Sequence, residues 1–219
     1  MLAQASFDDE STILLEELNH RFLNSFQVIA SLAARCGRAK SIAAVRSILN
    51  DLEHRVVAFG TLHRMLAFPV RGQTMEAHCR SLCDLVVRAF GRQDRVSLRI
   101  VDVHLSAKQA TRIPIIVVEM VTNVLKHSLA GQPAGLIEVE LTAGRLTLEL
   151  NVRDIGGVPP LMVQPSRTVE ALAASLDGSA STFERGGYVA SMSIPRVSPS
   201  RVVTPAFFPI CMSTYDASL

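Results

Sequence analysis

The chain has 219 residues, of which 48% are hydrophobic and 19% are charged, and its formal net charge is +2. This length allows one or two domains with a sizeable core, and a near-neutral charge without any Lys/Arg-rich run argues against nucleic-acid binding. The longest uncharged run, residues 202–215, contains two prolines and is shorter than the roughly 20 apolar residues of a membrane helix. Because the first residues lack a secretory signal and the cysteines are few, we expect a cytoplasmic protein with reduced thiols and no membrane span.

Two long amphipathic helices are predicted in the first third of the chain. Residues of the apolar seam recur with spacings of three and four, which is the heptad pattern of packed helices. The two seams consist of Leu15, Leu18, Phe22, Ser25, Ile29, Leu32 and Cys36, and of Ile42, Val45, Leu49, Leu52, Val56, Phe59, His63 and Leu66. The short connection around 37–41 predicts an antiparallel hairpin over residues 10–70. Because the apolar stripes are wide, we expect two hairpins to form a dimeric four-helix bundle.

His20 lies outside the seam of the first helix. With Leu15 at heptad position a, His20 falls at the water-facing position f, with Glu16 one turn before it and Asn24 one turn after it. A neutral imidazole is nucleophilic near pH 7, and an exposed ring on a dimeric bundle is open to a phosphoryl donor. From periodicity alone, an ordinary surface histidine is the better interpretation. His63 lies on its seam and is predicted to be buried.

The remainder of the chain predicts an α+β domain over residues 73–196. Helical periodicity alternates with the two-residue period of strands, and we expect Pro114 to interrupt or restart the second helix. The predicted segments are helices over 74–90, 106–129 and 169–176, and strands over 96–100, 137–141, 146–152, 179–184 and 188–194. A turn at 142–144 precedes the strand that begins at Leu146. This order is typical of an α/β sandwich with helices on one face of a mixed sheet, whereas residues 197–219 form a tail of unknown role.

One helix of this domain carries a polar column in a very apolar setting. Glu119, Asn123 and the pair Lys126 and His127 follow one another at i, i+4 and i+7/i+8, so an α-helix brings them to one face. A carboxylate, a carboxamide and a cation in one column suit a magnesium–phosphate site. The polar face of an ordinary amphipathic helix has the same pattern, so the spacing by itself is weak evidence.

Two motifs resemble those of a known family. Residues 17–24, Glu-Leu-Asn-His-Arg-Phe-Leu-Asn, resemble the His-Arg-x-x-Asn phosphoacceptor box of the HWE-like sensor histidine kinases. Residues 118–127, Val-Glu-Met-Val-Thr-Asn-Val-Leu-Lys-His, resemble the N box of the GHKL-type ATP-binding domain. The resemblance spans about residues 12–196 with both boxes in the family's order. It implies a dimerisation and phosphotransfer hairpin followed by a GHKL-like sandwich.

The resemblance also implies a role for each matching residue. His20 corresponds to the phosphorylated histidine, and Arg21 and Asn24 are placed to orient the phosphohistidine or a docked partner. From their positions near His20 on the helix, Glu16, Glu17 or Asn24 could hold the second ring nitrogen. The implied nucleotide-site residues are the N-box acid Glu119, the magnesium ligand Asn123, the phosphate-facing pair Lys126 and His127, and Asp154, which would read the adenine amino group.

The chain departs from the family's pattern after Asp154. Ile155 replaces an asparagine, the second glycine is displaced to Gly157, and no Gly-Leu-Gly-Leu-like box lies within residues 155–167. Leu23 also stands where the family box usually has lysine. Glycines there let backbone amides approach the phosphates, so their loss should cripple ATP binding.

Three functions follow from these motifs. The favoured one is a histidine phosphotransferase that carries phosphate on His20 between receiver-domain aspartates, as a homodimer and without a cofactor of its own. The second is an active minimal kinase that phosphorylates His20 from Mg-ATP, with Asn123 as magnesium ligand. The third is a non-catalytic scaffold that docks receiver domains, for which His20 would be dispensable.

Overall fold

The computed structural model describes most of the hairpin and the sandwich. The described residues are 26–27, 29–67, 72–129, 133–155, 166–184 and 187–197. The predictions for His20, Glu16, Arg21 and Asn24 therefore lie outside the described residues, as does the tail from residue 198. No helix in the described part of the chain is long and apolar enough to cross a membrane.

Five helices follow the order expected from the sequence. They are α1 (29–36), α2 (Ile42–Ala67), α3 (Met75–Ala89), α4 (Ala107–Asn123) and α5 (Arg167–Ala174). Residues 37–41 join α1 to α2, and the Ser41 hydroxyl caps α2 by accepting from the amide of Ala44 at 3.2 Å. Thr74 and Ser166 cap α3 and α5 in the same way.

The predicted seam of α2 has two environments. Its N-terminal half is open: Ile42, Leu49 and Val56, spaced by seven residues, are 78%, 49% and 45% exposed. Its C-terminal half, from Phe59 to Leu66, is buried against the sandwich and belongs to the same hydrophobic core. The prediction that His63 is buried is confirmed.

A five-stranded mixed sheet forms the second layer. Its strands are β1 (Arg95–Ile100), β2 (Leu136–Ala143), β3 (Thr147–Ile155), β4 (Ser179–Glu184) and β5 (Tyr188–Pro195), in the spatial order β1-β2-β3-β5-β4. β1 pairs with β2 in parallel, and the other pairs are antiparallel. Alternate residues of β2 and β3 are buried in the core, while the intervening ones face away and form cross-strand ion pairs such as Arg153–Glu138. The predicted α+β fold with helices on one face of a mixed sheet is confirmed.

Two local predictions were wrong. Pro114 does not interrupt α4, which runs unbroken from a capping box formed by Ser106 and Gln109. Because Pro114 and its apolar neighbours are buried, tertiary packing compensates for the missing amide donor. Leu146 is not part of a strand: it is 81% exposed in the turn, since the Gly144 amide donates to the Thr147 carbonyl at 2.8 Å and closes the hairpin there.

A buried ion pair joins the end of α3 to the start of β2. The Asp94 carboxylate accepts from Arg92 Nε at 2.5 Å, from Arg92 Nη2 at 2.9 Å and from the Gly135 amide at 2.7 Å. Burial alone would raise the pKa of Asp94, but these hydrogen bonds outweigh it and hold the pKa below its usual value. The carboxylate is therefore a structural group of the sandwich.

Candidate functional site

Helix α4 positions the two N-box residues at its C-terminal end. Glu119 and Asn123 lie one turn apart and are both half-buried. The hydroxyl of Ser166 donates to Glu119 Oε1 at 3.5 Å, and the same hydroxyl caps α5 by accepting from the Val169 amide at 3.2 Å. The N-terminus of α5 is thus tied to the carboxylate that the sequence assigns to nucleotide chemistry.

The remaining N-box residues lie on a π-helical turn. Residues Val124–Ser128 form this turn, and the Leu129 amide donates to the Val124 carbonyl five residues earlier. The spacing argument assumed an uninterrupted α-helix, so it does not describe residues beyond Asn123. Lys126 Nζ lies 5.9 Å from the centre of the Phe90 ring, a cation–π contact, and His127 is exposed.

Asp154 lies near the end of β3 and is 3% exposed. Its Oδ1 accepts a hydrogen bond from the backbone amide of Tyr188 at 2.5 Å. Gly187 makes this approach possible because its φ is +147° and a Cβ there would lie 2.5 Å from Asp154 Oδ1. The backbone at the start of β5 therefore closely approaches the carboxylate that was expected to bind the adenine amino group.

The side chain of Tyr188 is buried beside Asp154, with the residue 4% exposed. Burial and then the charge of Glu119 raise the pKa of the Tyr188 phenol. Tyr188 is thus bonded to Asp154 on the sheet, and Ser166 is bonded to Glu119 where α5 begins beside α4. One oxygen of the carboxylate that would bind the adenine amino group is therefore already engaged by a backbone amide of the chain itself.

The sandwich is also continuous with the hairpin. Phe59 of α2 meets Phe90 at the end of α3 edge to face, with ring centres 6.3 Å apart. Arg55 is held by Asp51 at 3.0 Å, and its guanidinium lies where a side chain on Gly91 would begin, so a substitution there would displace it. Through Phe90, the α2 interface reaches the N-box residue Lys126.

Sequence reasoning located Glu119, Asn123 and Asp154 but missed Tyr188, Gly187 and Ser166. The missed residues carry no nucleotide motif. A serine preceding a helix and a glycine preceding a strand were visible as local signals, yet nothing in the sequence indicated that they would meet Glu119 and Asp154 across the fold. The roles of the predicted site residues stay predictions.

The sequence matches two protein families that together cover most of the chain. Residues 17–84 match the family described as "Histidine kinase", and residues 87–191 match the family described as "Histidine kinase-like ATPase domain". None of the curated proteins compared matches the chain. The predicted division of the chain between residues 70 and 73 stays a prediction.

A solved histidine kinase shares the fold. The blue-light activated histidine kinase EL346 of Erythrobacter litoralis matches with a TM-score of 0.52 and 22% identity, over 77% of this chain and 59% of that one. The histidine kinase domain of the same protein matches with a TM-score of 0.48 and 18% identity, over 78% and 95%. The Acinetobacter baumannii histidine kinase AdeS has a TM-score of 0.42 and 15% identity, over 80% and 97%. The present chain thus spans less than two thirds of the EL346 kinase, and the similarity concerns the fold alone.

Proposed function

We propose that this chain, which belongs to the HWE-like sensor histidine kinases with a GHKL-type ATP-binding domain, acts in two-component signalling as a phosphotransferase that carries phosphate on His20. The observation that carries the proposal is the engaged carboxylate of Asp154, which the backbone of Tyr188 holds. The retained His-Arg-x-x-Asn box supports the same function, because a scaffold without chemistry has no use for the nucleophile. Phosphate would then come from another protein instead of ATP.

The proposed transfer has two steps. In the first, an imidazole nitrogen of His20 attacks the phosphorus of a receiver's aspartyl phosphate, so that a P–N bond forms, the acyl P–O bond breaks and a carboxylate leaves. In the second, an aspartate carboxylate of another receiver attacks the same phosphorus, and the imidazole leaves. The receivers supply the magnesium ion, while Arg21, Asn24 and Glu16 orient the ring and the phosphoryl group.

The proposal includes a homodimer. Domains of this histidine kinase type are usually dimeric. The exposed heptad residues Ile42, Leu49 and Val56 give α2 an apolar stripe that a second copy would cover. Cys79 and Cys83 are buried free thiols, as in proteins of a reducing compartment, so the proposal also includes a cytoplasmic location.

An active kinase is the second candidate. The half-buried pair Glu119 and Asn123 at the end of α4 favours it, because the N box keeps the residue types of an ATP site. In that case Asn123 would hold magnesium, Lys126 and His127 would face the phosphates, and His20 would accept phosphate directly from ATP.

The test of the proposed function is the loading of His20 by a phosphorylated receiver domain. The full chain is mixed with a ³²P-labelled receiver that has been freed of ATP, and label on the chain is followed in wild type, His20→Ala and His54→Ala. His54 is an exposed histidine of α2 and serves as the matched control. We expect label on wild type and His54→Ala and none on His20→Ala. Label that persists on His20→Ala contradicts the assignment, and absence of label on every variant contradicts the phosphotransferase.

A further inference from the structure

Tyr188 stands at the junction of the sheet with the predicted nucleotide site. It is the first residue of β5 and lies opposite Asp154, one position beyond the pair formed by Arg153 and Val189 in the antiparallel β3–β5 ladder. Alternate residues of a strand face the same side, so Tyr188 shares the helix-facing side of β5 with buried Ala190. Asp154 shares that side of β3 with buried Val152, the ladder partner of Ala190. The two side chains therefore project next to each other on the helix-facing side of the sheet.

The Tyr188 side chain is buried on the helix-facing side of the sheet. Its own amide is bonded to Asp154 of β3, and the charge of Glu119 on α4 acts on its phenol. Glu119 is in turn bonded to Ser166 at the start of α5. The tyrosine ring lies within the hydrophobic core that includes residues of all these elements. The motifs assign Asp154 and Glu119 to nucleotide binding, but neither Tyr188 nor Ser166.

We propose that the Tyr188 ring is a built-in plug that excludes adenine nucleotides from this domain. The ring projects from the position opposite Asp154 on the same side of the sheet, so an adenine that approached the carboxylate from that side would meet the ring. This inference deepens the proposed phosphotransferase function and rests on it for its biological meaning. It adds a second reason to expect weak ATP binding, a side chain that is present, to the first reason, the glycines that are absent.

The ring and the backbone of Tyr188 can be separated experimentally. The hydrogen bond to Asp154 comes from the backbone amide, which every residue except proline retains. Tyr188→Thr and Tyr188→Ala therefore remove the ring and keep that bond, and threonine also suits a strand. Tyr188→Phe keeps the ring and removes only the hydroxyl, so it is the matched control.

The probe is adenosine, which has no phosphates and is therefore insensitive to the missing glycines. Its binding to the full-length chain is measured by saturation-transfer NMR in wild type, Tyr188→Phe, Tyr188→Thr and Tyr188→Ala. We expect Tyr188→Thr and Tyr188→Ala to bind adenosine at least about tenfold more tightly than wild type and Tyr188→Phe. Equal affinity in all four proteins, whether measurable or undetectable, overturns the proposal.

A second measurement needs no cavity-forming variant. The chain contains two tyrosines and no tryptophan, so Tyr215→Phe leaves Tyr188 as the single tyrosine fluorophore. We expect its emission to be protected from acrylamide and unchanged by adenosine. Ready quenching in the folded protein would contradict the plug. Receiver loading of His20 is measured on the wild-type chain, so failure of the proposed function is seen separately from failure of the plug.

Discussion

Replacement of Phe59 by alanine tests whether the hairpin and the sandwich share one core. Phe59 is buried and meets Phe90 edge to face, so Phe59→Ala removes a packed ring from the contact between α2 and α3. Truncation of a buried phenylalanine costs about 3–5 kcal/mol, of which the ring–ring geometry accounts for roughly 0.5–1.5 kcal/mol. A domain of ordinary stability has only about 5–15 kcal/mol to lose, so the effect should be large.

The measurement is the free energy of unfolding in guanidinium, followed by circular dichroism. The control is Val57→Ala on the exposed side of the same helix, for which a change within about 0.5 kcal/mol is expected. A double-mutant cycle with Phe90→Ala should give a coupling of about 0.5–1.5 kcal/mol. If Phe59→Ala unfolds at the same denaturant concentration as Val57→Ala, α2 does not share the core of the sandwich and the reasoning is refuted.

Three further predictions concern charge, burial and assembly. Arg92 holds the pKa of Asp94 below its unfolded value of about 3.9, so the stability that this carboxylate contributes is present above that pH and is lost as the pH falls through the folded pKa. Asp94→Asn should therefore be less stable than wild type by several kcal/mol at pH 7, and its free energy of unfolding should change less between pH 7 and pH 3. His78 is buried, neither of its ring nitrogens has a partner among the described residues, and burial lowers its pKa. His78→Leu should therefore raise the free energy of unfolding by about 1 kcal/mol at pH 7. Because the variant has no imidazole to protonate, it should also lose less stability than wild type below about pH 6.5, which thermal unfolding at pH 7 and pH 5 measures. Leu49→Glu should convert the dimer to monomer in sedimentation velocity, whereas Ser47→Glu on the same helix should leave it dimeric, and a monomeric wild type would contradict the proposed assembly.

The regular elements were predictable because their signals are local. Strands of alternating apolar residues and the helices with three-and-four spacing lie close to where the sequence places them. Pro114 was misjudged because its cost is local whereas the burial that offsets it is not. The turn at Leu146 was misjudged because the apolar alternation continued by one residue beyond the hydrogen bond that closes the hairpin.

The site was predictable only as far as its motifs extend. Glu119, Asn123 and Asp154 were recognised because each belongs to a short motif of consecutive residues. The Tyr188 amide meets Asp154 from a strand more than thirty residues later, and its side chain is a plug only because β5 pairs with β3 in one particular register. The π turn that redirects Lys126 has no sequence signal of its own, because the apolar period continues across it.

The measurement that tests the account most directly is a reconstituted relay without ATP. A labelled donor receiver, the full-length chain and an unlabelled acceptor receiver are mixed, and the label on each protein is followed over time. The account predicts that label moves from the donor through His20 to the acceptor, that His20→Ala blocks the passage, and that γ-labelled Mg-ATP alone never labels the chain. Label on His20 from Mg-ATP in the absence of any receiver would contradict it, because the chain would then be an active kinase.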